Sequence, residues 1–470
     1  MTDPAANPGV PPAQAPDPGF ASTGLVPVEV YQSQILAAIR ALPPTQLYLA
    51  DAEGCVLAED VTAGVPLPSF DNSSMDGYAV LAADLKGASE HSPVTLPVTT
   101  EIAAGDTGAF ALVPGTAIRI MTGAQLPSGA DAVVPVEQTD GGIARVAIRA
   151  EVGAGNAVRY AGGDAAQGET LIVKGTRLKP MHIAVAASAG RARVLVRPRP
   201  RVVVLATGNE LAEPGTPLVP GRIWESNSYM IAAAAREAGA IAFRHAIVPD
   251  DPAGVLPTLE EQLLRADLLI TTGGVSMGGE HDVVKAALSQ LGTVTFQKVA
   301  MQPGMPQGFG TLGEDRIPIF TLPGNPVSAY VSFQLFVRPA IGALQDQLTQ
   351  FLPTVSATLT GPLRSPAGRR SFLRGVLSED KAQVTPLSGQ GSHQIAALGR
   401  ATALIVVPEW VVSLGEGDKA HVLVLPLSSA DICQSPRAPL PVQPPTVHPA
   451  APADRSKLRP QARSASRRSR

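Results

Sequence analysis

Three glycine-containing segments follow apolar runs in the second half of this 470-residue sequence: 206–210 (ATGNE), 271–279 (TTGGVSMGG) and 322–328 (LPGNPVS). Glycine lets the backbone approach a ligand closely and direct its N–H groups inward, and the positive end of a following helix favours phosphate. These residue types therefore predict phosphate binding. The candidate contacts are Thr272, Gly273, Gly274, Ser276, Gly278, Pro323, Gly324, Asn325 and Pro326.

Each segment taken alone also has a purely structural explanation. Residues 322–328 fit an ordinary helix start, with Asn325 as the cap and Pro326 at the first helical position. Residues 271–279 fit a tight strand-to-helix turn with Asp282 as the cap, and they lack the GK[ST] ending of a nucleotide-binding P-loop. Three such segments at one edge of a single sheet favour a ligand site over three unrelated helix starts.

Carboxylates accompany these segments at Glu210, Asp250, Asp251, Glu280 and Asp282. Carboxylates beside a phosphate repel it unless a hard cation such as Mg²⁺ lies between them. We therefore predict phosphoryl or nucleotidyl chemistry with Mg²⁺ at these carboxylates. The alternative for each carboxylate alone is a helix cap or a surface charge.

The elements that must position these segments alternate between strands and helices from residue 201 onward. Unbroken Val/Ile/Leu runs are typical of strands buried on both faces of a parallel sheet, here at 201–208, 241–248, 267–274, 293–300 and 317–324. Helical patterns lie between them at 228–238, 253–265, 282–291 and 326–342. The alternation predicts a doubly wound α/β domain.

The rest of the sequence predicts a multidomain chain of the α/β plus β class. Residues 28–42 and 180–190 have helical spacing, whereas 66–152 contain short apolar runs separated by Gly and Pro, typical of a β-rich module. Short strands return near residue 350 and predict a small C-terminal barrel or sandwich. Residues 1–24 and 428–470 have the composition of disordered tails.

Charge and composition narrow the class of protein. The formal net charge is −3. Residues 451–470 contain seven Arg or Lys and one Asp, so the total less this +6 leaves −9 on the remainder, which argues against a nucleic-acid-binding fold. Cys55 and Cys433 form no CxxC pair and indicate neither a disulfide framework nor zinc. Without a signal sequence or an 18-residue apolar stretch, we expect a soluble cytoplasmic protein.

Several longer motifs together resemble the molybdopterin molybdenumtransferase family, which includes the C-terminal domain of gephyrin. In chain order they are SFDNSSMDGYAV (69–80), RIMTGAQLPSGADAVV (119–134), ATGNEL (206–211), GRIWESN (221–227), TTGGVSMGGEHD (271–282) and LPGNPVSA (322–329). The resemblance spans about residues 25–427. By composition alone the first two motifs are loops or ambiguous, so their functional assignment depends on the resemblance.

The resemblance implies a homodimer of elongated four-domain protomers. Domain I would combine 25–65 with 153–196, and domain II (66–152) would be inserted between them. Domain III (197–345) would bind molybdopterin, and domain IV (346–427) would complete the cleft. The implied reaction inserts molybdate into adenylylated molybdopterin, releases AMP, yields molybdenum cofactor and requires Mg²⁺. Other proteins of molybdenum cofactor biosynthesis are implied as partners. Neither a membrane nor a nucleic acid is expected as a partner.

The functional residues of the family carry over by motif. The implied catalytic residues are Asp76, Thr122, Asp164, Glu210, Asp250, Asp282 and Lys298, and domain IV would add Arg374 and Ser392. The implied Mg²⁺ ligands are Glu210, Asp250 and Asp282. The loops of Asp76 and Thr122 are implied to reach the α/β domain of the partner protomer. Each cleft would then be shared across the dimer.

Some positions depart from the family pattern. Many members have lysine where this chain has Gln302 and Met305, and glutamate where it has Gly163. Loss of positive charge near an oxyanion site is expected to weaken molybdate capture, and Arg369 and Arg370 are the candidate replacements. Two alternatives stay open: a dimeric scaffold of the gephyrin type, and a tungstate-inserting relative, because tungstate is a tetrahedral dianion of similar size.

Overall fold

The computed structural model describes residues 24–274, 283–290, 293–347 and 350–426. The tails expected to be disordered lie outside these ranges, apart from Gly24, and so do the site candidates Ser276, Gly278 and Asp282. Within the described ranges, the chain combines one α/β sheet with several smaller β-sheets and a closed β-barrel, which confirms the multidomain α/β plus β class. The exact boundaries assigned to domains I–IV stay predictions.

Two segments distant in sequence share one small core near the N-terminus. The paired strands are Thr45–Tyr48, Val56–Leu57, Val61–Thr62, Thr170–Ile172 and Arg193–Arg197. Leu57, Val194 and Val196 are fully buried among them, and helix Pro180–Ser188 covers this core through Ala186. Burial of these apolar side chains holds the two segments together.

A five-stranded sheet forms the β-rich module. In order across the sheet, its strands are Ala132–Pro135, Gly77–Val80, Ala117–Ile120, Val94–Ile102 and Arg145–Ile148. Successive residues of a strand face opposite sides, so Tyr78 and Val80 enter one apolar cluster while Ala79 enters another. The short pair of Asn72–Ser73 with Val158–Arg159 closes the base of the loop at residues 74–76.

A mixed six-stranded sheet forms the α/β domain. In order across the sheet, its strands are Ile241–Arg244, Arg201–Ala206, Leu268–Thr272, Ile317–Leu322, Pro306–Leu312 and Val294–Lys298. The first four are parallel, as predicted. Pro306–Leu312 is antiparallel to both of its neighbours, so Val294–Lys298 runs in the same direction as the first four. The direction predicted for the strand at 293–300 is thus observed, but Pro306–Leu312, a strand that sequence reasoning missed, lies between it and the other parallel strands.

Two glycines explain why that strand has no obvious sequence pattern. A Cβ on Gly308 would lie 1.9 Å from Thr321 Oγ1, and one on Gly310 would lie 2.1 Å from the carbonyl oxygen of Thr293. Glycine is therefore required where the neighbouring strands approach closely. Its weak strand propensity hides the element from pattern analysis.

Helices cover both faces of this sheet, which confirms the doubly wound arrangement. Val202 and Val204 face one apolar cluster, and Val203 and Leu205 face the other. The helices are Asn227–Glu237, Pro252–Leu263, Val283–Gln290, Pro326–Ser332 and Arg338–Leu344, with a π-helical turn at Phe333–Val337 between the last two. That turn ends two residues before Pro339, whose ring cannot fit a regular helix interior.

One apolar helix of this domain has the dimensions of a membrane span. Among the described residues, Pro326–Leu344 is long and apolar enough to cross a bilayer, and 89% of its most apolar window is buried inside the protein. The N-terminal helix Val28–Ala38 packs beside it, with the rings of Tyr31 and Phe336 in edge-to-face contact at 4.9 Å. The N-terminal helix ends at Ala38 and does not extend to residue 42 as predicted. This is consistent with Pro43, which disfavours helical backbone angles at the residue before it.

Five strands close a small C-terminal barrel, which decides between the barrel and the sandwich. They are Thr354–Leu359, Arg370–Leu377, Gln383–Pro386, Ala403–Val407 and Lys419–Val424, and the ring closes where Arg370–Leu377 pairs with Ala403–Val407. The other short elements are Leu211–Ala212 paired with Ile223–Trp224, Leu363–Arg364 paired with Ser413–Leu414, helix Ile395–Leu398, and 3₁₀ turns at Leu49–Asp51, Ala82–Leu85 and Val136–Gln138.

A short strand joins the barrel to the α/β domain. Met301–Gln302 follows the sheet strand Val294–Lys298 and pairs in parallel with Arg370 and Ser371 of the barrel. Arg370 forms ion pairs with both Glu29 of the N-terminal helix and Glu409. These contacts place the loop after Gln302 next to the entrance of the barrel.

Candidate functional site

The three glycine-containing segments lie side by side at one edge of the α/β sheet. The N–H of Thr207 donates to the carbonyl of Thr272 at 3.1 Å, and the N–H of Gly273 donates to the carbonyl of Leu322, also at 3.1 Å. The amide of Asn227 donates to the carbonyl of Gly324 at 2.6 Å. Because parallel strands end together at the same edge, their following loops meet here.

Gly273 allows the closest approach between two of these segments. Its φ is +93°, and a Cβ at this position would lie 2.7 Å from the carbonyl oxygen of Thr207. Gly274 also has a positive φ of 68°. A side chain at Gly273 would therefore be strained and would force the first two segments apart.

The predicted carboxylates at this edge of the sheet differ in their hydrogen bonding and exposure. The N–H of Asn209 donates to Asp250 at 3.3 Å, and the N–H of Asp250 donates back to the Asn209 amide oxygen at 3.2 Å. Asp250 thus links the segments that follow two neighbouring parallel strands, in line with its structural alternative. Glu210 is exposed beside Gly208. Asp282, the third predicted Mg²⁺ ligand, lies outside the described residues. Among the described residues, no group of three or more His, Cys, Asp or Glu side chains lies close enough together to hold a metal ion.

The third segment begins a helix and meets the barrel. Asn325 and Pro326 occupy the cap and first helical positions, as the structural alternative predicts, but the Asn325 side chain makes no capping hydrogen bond. Instead, the N–H of Val327 donates to the carbonyl of Ser392 at 3.1 Å. Ser392 was expected to contribute to the cleft, and the structure places its loop against this helix start.

A cavity of about 320 Å³ lies where the third segment, the loop after Gln302 and the barrel meet. Its wall consists of Met301, Gln302, Pro303, Gly304, Met305, Pro306, Pro323, Asn325, Ser328, Arg369, Gln390, Gly391 and Ser392. Among the residues that the structure describes, the wall contains several hydrogen-bonding side chains and one arginine, but no carboxylate. Such a wall favours an anion over a cation.

Arg374 adds a second positive charge behind this wall. Its side chain is 0% exposed. Its Nη2 donates to the carbonyls of Gly389 and Gly391, while Nε and Nη1 have no hydrogen-bond partner among the described residues. Burial lowers the pKa of Arg374. A guanidinium in this state is costly to the fold, which indicates that its charge serves a purpose other than stability.

Lys298, also expected in the cleft, ends the strand that leads to the cavity. It is exposed and lies opposite Pro306 in the sheet register, but it is not part of the cavity wall. The sequence reasoning missed Asn227, Ser328 and Gln390. Asn227 ends the motif GRIWESN, so its position in a family motif was the available signal.

Asp76 and Thr122 come together at the edge of the β-rich module. The N–H and the hydroxyl of Thr122 both donate to Asp76 Oδ1 at 2.7 Å. The backbone N–H, followed by the hydroxyl, lowers the pKa of Asp76 below its ordinary value. Asp164 is exposed on a neighbouring segment, where its N–H donates to the carbonyl of Leu67. These hydrogen bonds stay within the module and its flanking segment.

Replacing Thr122 with valine should raise the pKa of Asp76. The substitution removes the hydroxyl donor but keeps the backbone N–H, so the pKa should move only part of the way back to its ordinary value. Because the folded-state pKa is depressed, the stability linked to Asp76 is present above its unfolded pKa and is lost as pH falls through the folded pKa. Carboxyl NMR titration of Asp76 measures the change. Thr122→Ser should retain the depression, and equal pKa values in the valine and serine variants would contradict this account.

A larger cavity of about 520 Å³ has a different character. Three arginines line it, but they already bind the surrounding chain. Arg177 donates to the carbonyl of Gly54, Arg199 donates to those of Gly239 and Ala240, and Arg338 pairs with Glu237. These bonds tie separate segments together, so we assign this cavity a structural role.

Three family models match successive parts of the chain. The MoeA N-terminal region (domain I and II) matches residues 26–190, the probable molybdopterin binding domain matches 203–343, and the MoeA C-terminal region (domain IV) matches 356–425. Molybdopterin molybdenumtransferase 2 of Mycobacterium tuberculosis (strain ATCC 25618 / H37Rv) is 45% identical over 401 residues, which is 84% of this chain and 98% of the relative. The chain belongs to the molybdopterin molybdenumtransferase family.

Other molybdopterin molybdenumtransferases and solved structures agree with this membership. The Bacillus subtilis (strain 168) enzyme is 37% identical over 384 residues, covering 80% of this chain and 89% of the relative. Two structures of the molybdopterin biosynthesis MoeA protein from Pyrococcus horikoshii have TM-scores of 0.71 and 0.66 at 30% and 27% identity. Each covers 85% of this chain, and 99% and 100% of the matched chains are covered. As a family member, the chain is a transferase of molybdenum cofactor biosynthesis.

Proposed function

We propose that the chain inserts molybdate into adenylylated molybdopterin, with release of AMP and formation of molybdenum cofactor. The observation that carries this proposal is the 320 Å³ cavity. It joins the phosphate-favouring edge of the α/β sheet to a wall in which no described residue is a carboxylate. Behind this wall lies the buried guanidinium of Arg374, two nitrogens of which are bonded to no described residue. A tetrahedral oxyanion has the charge and the hydrogen-bond acceptors that such a wall can satisfy.

The glycine-containing segments would bind the phosphate end of the substrate. The backbone at Gly273 and Gly274 is free of side chains and lies beside the start of the helix at Pro326. Backbone N–H groups and the helix dipole together favour the phosphoanhydride that joins molybdopterin to AMP. The adjoining cavity would hold molybdate where the dithiolene sulfurs of the bound pterin can replace its oxygen ligands. Binding both substrates side by side supplies the proximity that the reaction needs.

Mg²⁺ is part of this proposal. Glu210, Asp250 and Asp282 offer hard oxygen donors of the kind that Mg²⁺ prefers, and they would hold it next to the phosphate-binding segments. The cation would neutralise the phosphoanhydride and favour departure of AMP. Asp250 would give up its hydrogen bond from Asn209 in order to do so.

A homodimer with shared clefts completes the proposal. Asp76 is held as a carboxylate by two donors from Thr122, yet its hydrogen bonds connect it only to its own module and not to the α/β sheet edge. An anionic side chain fixed in this way on an exposed loop fits a contribution to the cleft of a partner protomer. Asp76 and Thr122 would then act on substrate bound by the second subunit.

AMP release from adenylylated molybdopterin tests the function. We expect the full-length wild-type protein to release AMP only when both molybdate and Mg²⁺ are present, and tungstate should compete because it has the same shape and charge. Glu210→Gln and Asp76→Asn should each reduce the rate by about 100-fold or more, because each removes a charge from the cleft. A wild-type protein that forms dimers but releases no AMP would overturn the proposal.

Mixing the two inactive variants tests the shared cleft. If Asp76 acts across the dimer, a mixed dimer of Asp76→Asn and Glu210→Gln subunits contains one cleft with both carboxylates intact. Subunit exchange should therefore restore activity, up to half of the wild-type rate per mixed dimer. No recovery in dimers shown to be mixed would place both residues in the cleft of one protomer. A double variant with both changes in one chain, mixed with itself, is the inactive control.

A further inference from the structure

The cavity of about 520 Å³ lies between the small N-terminal core and the α/β domain. It shares no described wall residue with the 320 Å³ cavity. Its wall contains residues of both regions, namely Glu53, Gly54 and Arg177 from the N-terminal core, Glu237, Ala238, Gly239 and Arg338 from the α/β domain, and Arg199 and Gln350 from the segments beside them. A molecule bound here would therefore touch two parts of the chain at once.

The bonds that hold two of the three arginines leave their charges uncompensated. Arg177 donates to the carbonyl of Gly54 at 3.1 Å and to two glutamine amides at 2.8 and 3.0 Å. Arg199 donates at 3.0 and 2.9 Å to two backbone carbonyls that follow the helix Asn227–Glu237. All of these acceptors are neutral, and within the described ranges neither arginine forms an ion pair with a carboxylate.

The positive charges in this wall also act on one another. Burial lowers the pKa of Arg177, and the charges of Arg199 and Arg338 lower it further, against an opposite effect of Cys55. Like charges that are close together and partly desolvated disfavour each other. Arg338 is paired with Glu237, so the excess positive charge belongs to the other two arginines.

Two glycines hold these like-charged side chains in place. Gly239 has a φ of +97°, and a Cβ there would clash with Nη1 of Arg177. Gly54 has a φ of +77°, and a Cβ there would lie 3.3 Å from Cδ of Arg199. Both backbone conformations favour glycine, and the missing side chains leave room for the two arginines. The local backbone thus accommodates two side chains whose charges repel.

We propose that this cavity binds a phosphate group, either as free phosphate or as the phosphate of a small molecule, and that the bound anion fastens the N-terminal core to the α/β domain. The proposal goes beyond the proposed function and does not depend on it. Guanidinium groups bind phosphate through parallel, charge-assisted hydrogen bonds, and the anion would remove the repulsion between Arg177 and Arg199. The volume lies within the range of small-molecule sites.

Calorimetric titration of the full-length protein tests the proposal, with sodium phosphate and ribose 5-phosphate as separate probes at constant ionic strength. Arg199→Gln should weaken binding by about tenfold or more, as expected for the loss of a charge-assisted hydrogen bond. Tighter binding of ribose 5-phosphate would identify a phosphate monoester as the ligand, and tighter binding of phosphate would identify the free anion. Phosphate should also raise the urea midpoint of wild type, but not that of Arg199→Gln, because a ligand of the folded state stabilises it.

Glu53→Gln tests the same cavity with the opposite sign. Glu53 is the exposed carboxylate of the wall, so its neutralisation should tighten phosphate binding by about twofold to fivefold. A damaged fold cannot produce such a gain. Arg191→Gln is the matched control, because Arg191 is exposed in the N-terminal core and is not part of the wall. Its affinity should stay within about twofold of wild type.

Two results would overturn the proposal. One is a wild-type protein that binds neither probe at millimolar concentration. The other is an affinity that neither Arg199→Gln nor Glu53→Gln changes, because phosphate would then bind elsewhere, such as at the glycine-containing segments. Both results leave the AMP-release reaction untouched, so failure of this proposal is distinct from failure of the proposed function.

Discussion

Replacing Arg374 with methionine should abolish turnover without weakening the fold. Arg374 is fully buried, and two of its nitrogens have no hydrogen-bond partner among the described residues. A buried charge without an ion-pair partner destabilises a protein, so an apolar side chain of similar length removes that cost. The same change removes positive potential from the cavity and should lower kcat/KM by about 100-fold or more.

Urea unfolding and the AMP-release assay together separate function from structure. The free energy of unfolding of Arg374→Met should be equal to or higher than that of wild type, because the energy regained by removing the charge offsets the loss of the bonds to Gly389 and Gly391. Arg374→Lys keeps a charge and should retain more activity than Arg374→Met. If Arg374→Met is much less stable than wild type and Arg374→Lys is equally inactive, the residue has a structural role.

Replacing Gly273 with alanine should also cost about 100-fold in kcat/KM, through geometry rather than charge. The new Cβ would lie 2.7 Å from the carbonyl oxygen of Thr207, and the φ of +93° is unfavourable for any side chain. The contact between the first two phosphate-binding segments would have to open. The bound phosphoanhydride would then no longer be aligned with the molybdate cavity.

Gly221→Ala provides the matched control for this variant. Gly221 lies in the same α/β domain with a φ of +85°, but a Cβ there would meet nothing within 4 Å. The alanine substitution at Gly221 introduces backbone strain of about 1 kcal/mol, comparable with that at Gly273, but causes no steric clash. Steady-state kinetics should show near-wild-type activity for Gly221→Ala and a severe loss for Gly273→Ala. Equal losses in both variants would mean that general strain, and not the junction, is responsible.

Much of the α/β domain could be predicted because its strands carry their own signal. Val202–Ala206 and the run near Leu268 are apolar on both faces, which only a covered parallel sheet tolerates. Their shared edge follows from the topology. Pro306–Leu312 could not be found in this way, because Gly308 and Gly310 are needed for close packing and weaken the pattern. Its antiparallel insertion depends on contacts that are distant in sequence.

The parts of the site that depend on backbone geometry could be predicted from the sequence. The parts that depend on how two domains pack against each other could not. The convergence at Gly273 and Gly324 follows from strand ends and glycine chemistry. The cavity required the structure, because it depends on how the barrel loop at Ser392 meets the helix that begins at Pro326. Arg369 lines the cavity whereas Arg370 forms two ion pairs, and the sequence could not distinguish these two consecutive arginines. The partners of Arg370, Glu29 and Glu409, lie far away in sequence.

Anomalous diffraction at the molybdenum absorption edge would test the central claim most directly. Crystals of the full-length protein soaked in molybdate should show one strong peak per protomer inside the cavity between Asn325, Arg369 and Ser392. The peak should disappear in Arg374→Met crystals. A strong peak at another place in the protomer, with this cavity empty, would contradict the assignment of the oxyanion site.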